Sequence, residues 1–141
     1  MAKHQFDKLF TPKETNELIP QLGVIVRQIQ SLTDALRDRI AQLCRSEPAL
    51  AQLPLDEIIA RHPMLRQFTD KMGELASRVQ GLGGFLKDID QGLVDFPSEI
   101  EGQIVFLCWQ WGESQIVAWH PIDGGFATRQ PLPGAPKVYL N

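Results

Sequence analysis

The sequence predicts an α+β protein: a long antiparallel helical hairpin, coiled-coil-like, followed by a small antiparallel β-meander. Three observations predict it. Apolar residues step by threes and fours through the first half. The chain changes grammar at Gly81-Leu82-Gly83-Gly84. Beyond that point lie eight of the eleven aromatic residues, including all three tryptophans, in runs broken by Gly and Pro.

The helical half opens at Thr11-Pro12-Lys13-Glu14. Thr11 suits an N-cap, Pro12 the first helical position, and Glu14 completes a capping box. A seam follows at Leu18, Leu22, Ile25, Ile29, Leu32, Leu36, Ile40 and Leu43, close to a heptad. Pro20 is expected to kink or split this helix. From Gln21 to Arg45 it would run about 37 Å. Pro48 and Pro54 mark a connection, and Asp56–Ala60 a short helical turn ended by His62-Pro63. A second seam runs through Leu65, Phe68, Met72, Leu75, Val79 and Leu82. Two seamed helices on a short connection form a hairpin. An isolated hairpin leaves the seams poorly covered. Pairing two hairpins as a homodimeric four-helix bundle is the simplest remedy. The rival is cover from the second half of the same chain.

The second half reads as strands Phe85–Asp90, Leu93–Phe96, Gln103–Gln110 and Gln115–His120. In the first hairpin, a two-residue loop would set Asp88 against Asp95, which is repulsive without a cation or shared proton. A three-residue loop, with Gly92 left-handed, pairs Ile89 with Leu93 and Lys87 with Asp95; it is the favoured register. In the second hairpin the expected pairs are Trp109–Ile116, Leu107–Ala118 and Val105–His120, with Cys108–Val117 and Phe106–Trp119 on the other face. Both faces are then apolar, so both need cover. The Pro-rich tail Arg129–Asn141 or a second subunit would supply one of the covers.

The 141 residues are 43% hydrophobic and 22% charged, with a net charge of −3. One domain is expected over 1–141, with a helical layer (1–84) and a β layer (85–141). The first layer carries 11 basic and 10 acidic side chains and the second 3 and 7. This balance argues against a nucleic-acid partner. Arg27, Arg37, Arg39 and Arg45 are interrupted by Asp34 and Asp38, as on a solvated face. The longest apolar run, Ile104–Trp109, is far short of a membrane span, so no membrane is expected. The start lacks a signal-peptide pattern, and Cys44 and Cys108 form no Cys-x-x-Cys pair. A cytoplasmic protein without cofactor is expected.

The run Gly84–Pro97 (GFLKDIDQGLVDFP), then Leu107-Cys108-Trp109, Gly112-Glu113, Trp119-His120 and Gly125-Phe126 through Arg129 to Leu132 resembles the small prokaryotic proteins catalogued as domain of unknown function 2203. The resemblance is tight over about a third of the chain; the Leu-Phe-Thr opening at Leu9–Thr11 is similar too. It implies a compact soluble protein and carries over no activity, cofactor or catalytic residue.

Asp88, Asp95, His120 and Arg129 are the candidate ligand-binding residues. Carboxylates and an imidazole could bind a divalent cation. The plainer roles are turn chemistry at Asp90, a Lys87–Asp95 pair, a structural histidine at the sheet rim, and a salt bridge from Arg129 to Asp95, Glu113 or Asp123. No spacing matches a metal motif, and no metal is expected. Cys108 and His120 could suggest a nucleophile and base, but the expected register puts them on opposite faces. Trp109 and Trp111 share a strand parity and Trp119 takes the other face, which favours core packing over base stacking. The reading is an oligomeric protein-interaction or ligand-binding module. The alternative is a small metal-dependent or hydrolytic enzyme with a site near Asp88, Asp95, His120 and Arg129.

Overall fold

The capping signals at Thr11 give the first helix its start. In the computed structural model, which describes residues 6–133, Glu14 N donates to Thr11 Oγ1 at 3.1 Å and Thr11 N to Glu14 Oε1 at 3.0 Å. Helix α1 spans Pro12–Ser46. It is followed by α2 (Leu55–Arg61), flanked by 3-10 turns at Pro48–Gln52 and Pro63–Leu65, and by α3 (Arg66–Gly81). Five strands complete the chain: β1 (Phe85–Asp88), β2 (Leu93–Ile100), β3 (Gln103–Gln110), β4 (Ala118–Pro121) and β5 (Gln130–Pro131). They form one antiparallel sheet in chain order. The architecture is therefore α+β. Residues 134–141, most of the Pro-rich tail, lie outside the described residues. Among the described residues no helix is long and apolar enough to cross a membrane.

Pro20 does not split α1. A proline inside a helix costs roughly 3 kcal/mol. Pro20 is exposed, while Ile19, Leu22, Ile25, Val26 and Ile29 around it are buried. Each fully buried aliphatic side chain contributes about 1.5–3 kcal/mol, so the strip holds the helix together across the proline.

The seams find their cover inside the chain. The first part of α1 packs with Leu75 and Val79 of α3 and with Val94, Phe96, Leu107 and Trp109 of the sheet. Further along, Leu36 packs with Ile58 and Leu65, beside Ile40, Leu43, Phe68 and Met72. Helix α3 ends at a turn in which Gly83 N donates to Gln80 O and Gly84 N to Val79 O. Gly83 has φ +100°, the left-handed conformation this ending requires.

Both hairpin registers differ from expectation. In β1–β2, Phe85 faces Asp95, Leu86 faces Val94 and Asp88 faces Leu93, with Lys87 bulged out. Neither the Ile89–Leu93 and Lys87–Asp95 pairs nor an Asp88–Asp95 pair forms. The cause is Asp88: its Oδ1 accepts Gln91 N at 2.9 Å and so belongs to the turn. Gly92 is left-handed as expected, at φ +68°. Gln30 of α1 also binds Ile89 O at 3.0 Å, and Arg37 pairs with Asp90 at 2.7 Å, anchoring the loop to the helix.

In β3–β4 the register slips by one residue. Phe106 faces His120, Leu107 faces Trp119 and Cys108 faces Ala118. The connection is not a tight turn. Glu113 Oε1 accepts Gln110 N at 2.7 Å, Trp109 Nε1 donates to Glu113 O at 2.9 Å, and Ile116 N donates to Asn16 Oδ1 of α1 at 2.6 Å. These bonds hold the segment before Ala118 against the helix rather than on β3. A one-residue slip sends every side chain of β4 to the opposite face. Trp119 thus shares the helix-facing side with Trp109, and His120 joins Cys108 on the other.

Candidate functional site

The outer face of the sheet, away from the helices, holds the polar cluster. Asp95 on β2 lies opposite Cys108 on β3, and His120 on β4 lies opposite Phe106, two residues from Cys108. The three are 2%, 1% and 2% exposed. Phe6 packs edge-on against Phe85 and Phe106, and the Phe106 ring lies 5.6 Å from that of His120. The outer face is therefore covered over the cluster, while Phe85 at its edge stays 37% exposed.

His120 Nε2 is 2.8 Å from Asp95 Oδ2, and its Nδ1 is 2.8 Å from Pro121 O. A backbone carbonyl can only accept, so Nδ1 carries a hydrogen. The short contact on the other side also needs a proton between nitrogen and oxygen. Burial pushes the Asp95 carboxyl above the usual aspartate value, against the pull of His120 and Lys87. Asp95 Oδ1 is buried without a hydrogen-bond partner among the described residues. Burial, with the negative charge of Asp95, pushes the Cys108 thiol up to about 12. The ligand atoms of Asp95, Cys108 and His120 all lie within 4.8 Å of one another.

The structure brings together two of the four candidate residues, Asp95 and His120. Asp88 is occupied by its turn. Arg129 pairs with Glu113 at 2.8 Å and lies over the Phe126 ring at 4.8 Å; its charge is still felt at Cys108. Its Nε is buried without a partner among the described residues. The residue that sequence reasoning set aside is Cys108. The signal that would have found it is the alternative register pairing Phe106 with His120, hidden because the loop residues that impose it bond to α1.

Chemically, the cluster offers oxygen, nitrogen and sulfur donors in a dry place. It is poorly arranged for thiol attack. The thiol is held protonated, and both nitrogens of His120 are engaged elsewhere.

Comparison with known proteins gives one finding. The model of a family described as "Uncharacterized conserved protein (DUF2203)" matches residues 8–132. No curated protein matches and no solved structure matches.

Proposed function

The chain belongs to the DUF2203 family, and we propose that this member is a ligand-binding module whose site is the Asp95–Cys108–His120 cluster. The observation that carries the reading is the buried Asp95 carboxyl, bound to His120 at 2.8 Å with its second oxygen unpartnered among the described residues. Well-packed apolar residues in such a place are often as stabilising as a buried ion pair, or more so. A polar cluster kept at that cost is a candidate for function. Binding is favoured over hydrolysis because nothing in the cluster activates a nucleophile.

A thermal-shift screen of divalent metals, nucleotides and small anions tests the reading. A ligand specific to the native state, at 100 times its dissociation constant, stabilises by about 2.7 kcal/mol. A shift lost in Asp95→Asn supports the site; no shift from any member of the panel ends the reading.

A second reading is self-association through the helical layer, taken as an antiparallel hairpin. The seams no longer call for it, since Leu22, Ile25, Ile29 and Leu36 are buried within one chain. It draws on Val24 and Trp111, 60% and 43% exposed, which border a groove of about 490 Å³. Light scattering at micromolar concentration decides it: a dimer dissociated by Val24→Glu supports the reading, and a monomer overturns it. The single-domain assignment rests on the shared core of helices and sheet. The cytoplasmic assignment rests on two free thiols.

A further inference from the structure

We propose that Asp95, Cys108 and His120 form a closed site for one divalent transition-metal ion of zinc's kind; the proposal rests on the ligand-binding reading and names its ligand. Four observations carry it. First, three donors of three chemistries converge within 4.8 Å, from three neighbouring strands. Tetrahedral zinc, with bonds of about 2.0–2.3 Å, would space its donors at about 3.3–3.6 Å; the Asp95–His120 pair, now at 2.8 Å, would open slightly around the ion and the wider separations, up to 4.8 Å, would close. Second, His120 Nδ1 donates to Pro121 O at 2.8 Å. That bond leaves Nε2 to face Asp95 and Cys108, and it is how metal-bound imidazoles are held in one tautomer and orientation. Third, Asp95 Oδ1 is buried and unpartnered among the described residues. Used together with Oδ2, it makes a fourth donor from the same side chain. Fourth, charge balances. A carboxylate and a thiolate neutralise a divalent ion, which suits an interior where each residue is 2% exposed or less.

The donor set also selects the metal. Calcium and magnesium take oxygen ligands, whereas thiolate and imidazole favour zinc and its neighbours. Lys87 acts on Asp95 and would oppose a cation, but it is exposed and screened by water. Arg129 acts on Cys108, but Glu113 neutralises it at 2.8 Å. The site is closed. A catalytic ion keeps a coordination position open to water. This ion would instead tie β2, β3 and β4 together.

The full chain should be stripped with chelator, unfolded and refolded with cobalt(II). The expected result is one cobalt per chain, a thiolate-to-cobalt charge-transfer absorption, and displacement by zinc. Cys108→Ala should abolish the absorption and weaken binding by more than the roughly 10–100-fold that losing a supporting partner costs. If that variant fails to fold, X-ray absorption of the cobalt-loaded native chain still reports whether one sulfur is a ligand. Cobalt retained without a sulfur ligand overturns the proposal, as does a refolded chain that retains none. A nucleotide or anion that stabilises the chain through Asp95 while cobalt and zinc do nothing would sink the metal but leave the ligand-binding reading standing. Silence from metals and organic ligands alike would end both.

Discussion

Replacing His120 with alanine removes the hydrogen-bonding partner of a carboxyl group that is 2% exposed. The other oxygen of Asp95 is already unpartnered among the described residues, so a charge left there would keep only the Cys108 thiol and the Lys87 charge as support. Breaking a buried pair from one side costs about 3–5 kcal/mol. Protonation sets a ceiling on the charge penalty. Taking an aspartate from its ordinary value of 3.8 up to neutrality costs about 4 kcal/mol at 1.36 kcal/mol per pH unit. Asp95→Asn should cost less, about 1–2 kcal/mol, because an amide removes the charge and keeps a group that can bond the ring. The difference should depend on pH. Asp95 titrates above 3.8 in the native state, so the native chain binds its proton more tightly than the unfolded chain does. The resulting stability is complete below 3.8 and is lost as pH rises through the raised native value. His120→Ala should steepen that loss, and Asp95→Asn should remove it. Urea unfolding of chelator-treated protein at about pH 4 and about pH 7 reads both. Equal costs for the two variants, or a His120→Ala cost that does not change with pH, would refute the buried-pair argument.

Three further outcomes follow from local geometry. Gly83→Ala should destabilise by about 2–4 kcal/mol in urea unfolding, because φ is +100° there and a β-carbon would run into the Phe10 ring. Thr11→Ala should cost about 1 kcal/mol by the same measurement, through loss of the capping box on α1. Alkylation of the native chain at neutral pH should label Cys44, which is half-buried, and spare Cys108 until the chain unfolds; labelling of Cys108 in the folded state, read by mass spectrometry, would contradict its burial and its raised thiol pKa.

Most of the helical layer was legible because its determinants are local. Thr11, Pro12 and Glu14 act within one turn, and the periodic apolar positions of α1 and α3 are buried at Leu22, Ile25, Ile29, Leu36, Leu75 and Val79 and half-buried at the others. The strands were legible as strands for the same reason. Register was not, because it depends on partners remote in sequence. Asp88 turns back to Gln91 N, and Asn16 of α1 captures Ile116 N a hundred residues away. Each bond is worth about 1 kcal/mol, yet β1 sits one to two residues from its expected register and β4 one residue from its own. The candidate site inherited that error. Asp95 and His120 were singled out, but the expected register set His120 on the face opposite Cys108 and so hid the third member of the cluster. The expected split at Pro20 failed for the converse reason: a local penalty was outweighed by burial of the flanking apolar strip.

The two faces of the sheet differ in how their buried groups are satisfied. The helix-facing side is uniformly apolar at Val94, Phe96, Leu107 and Trp109, and nothing there departs from ordinary core packing. The outer side is just as dry but carries a carboxyl, a thiol and an imidazole among aromatic rings. Hydrogen bonds satisfy only part of that set. Partly satisfied polar networks are worse for stability than apolar packing of equal volume. Departures from local consistency of this kind concentrate at functional sites. The unpartnered Asp95 oxygen is the sharpest such departure on this face, and a bound ion is the simplest partner that satisfies it and neutralises the thiolate at once.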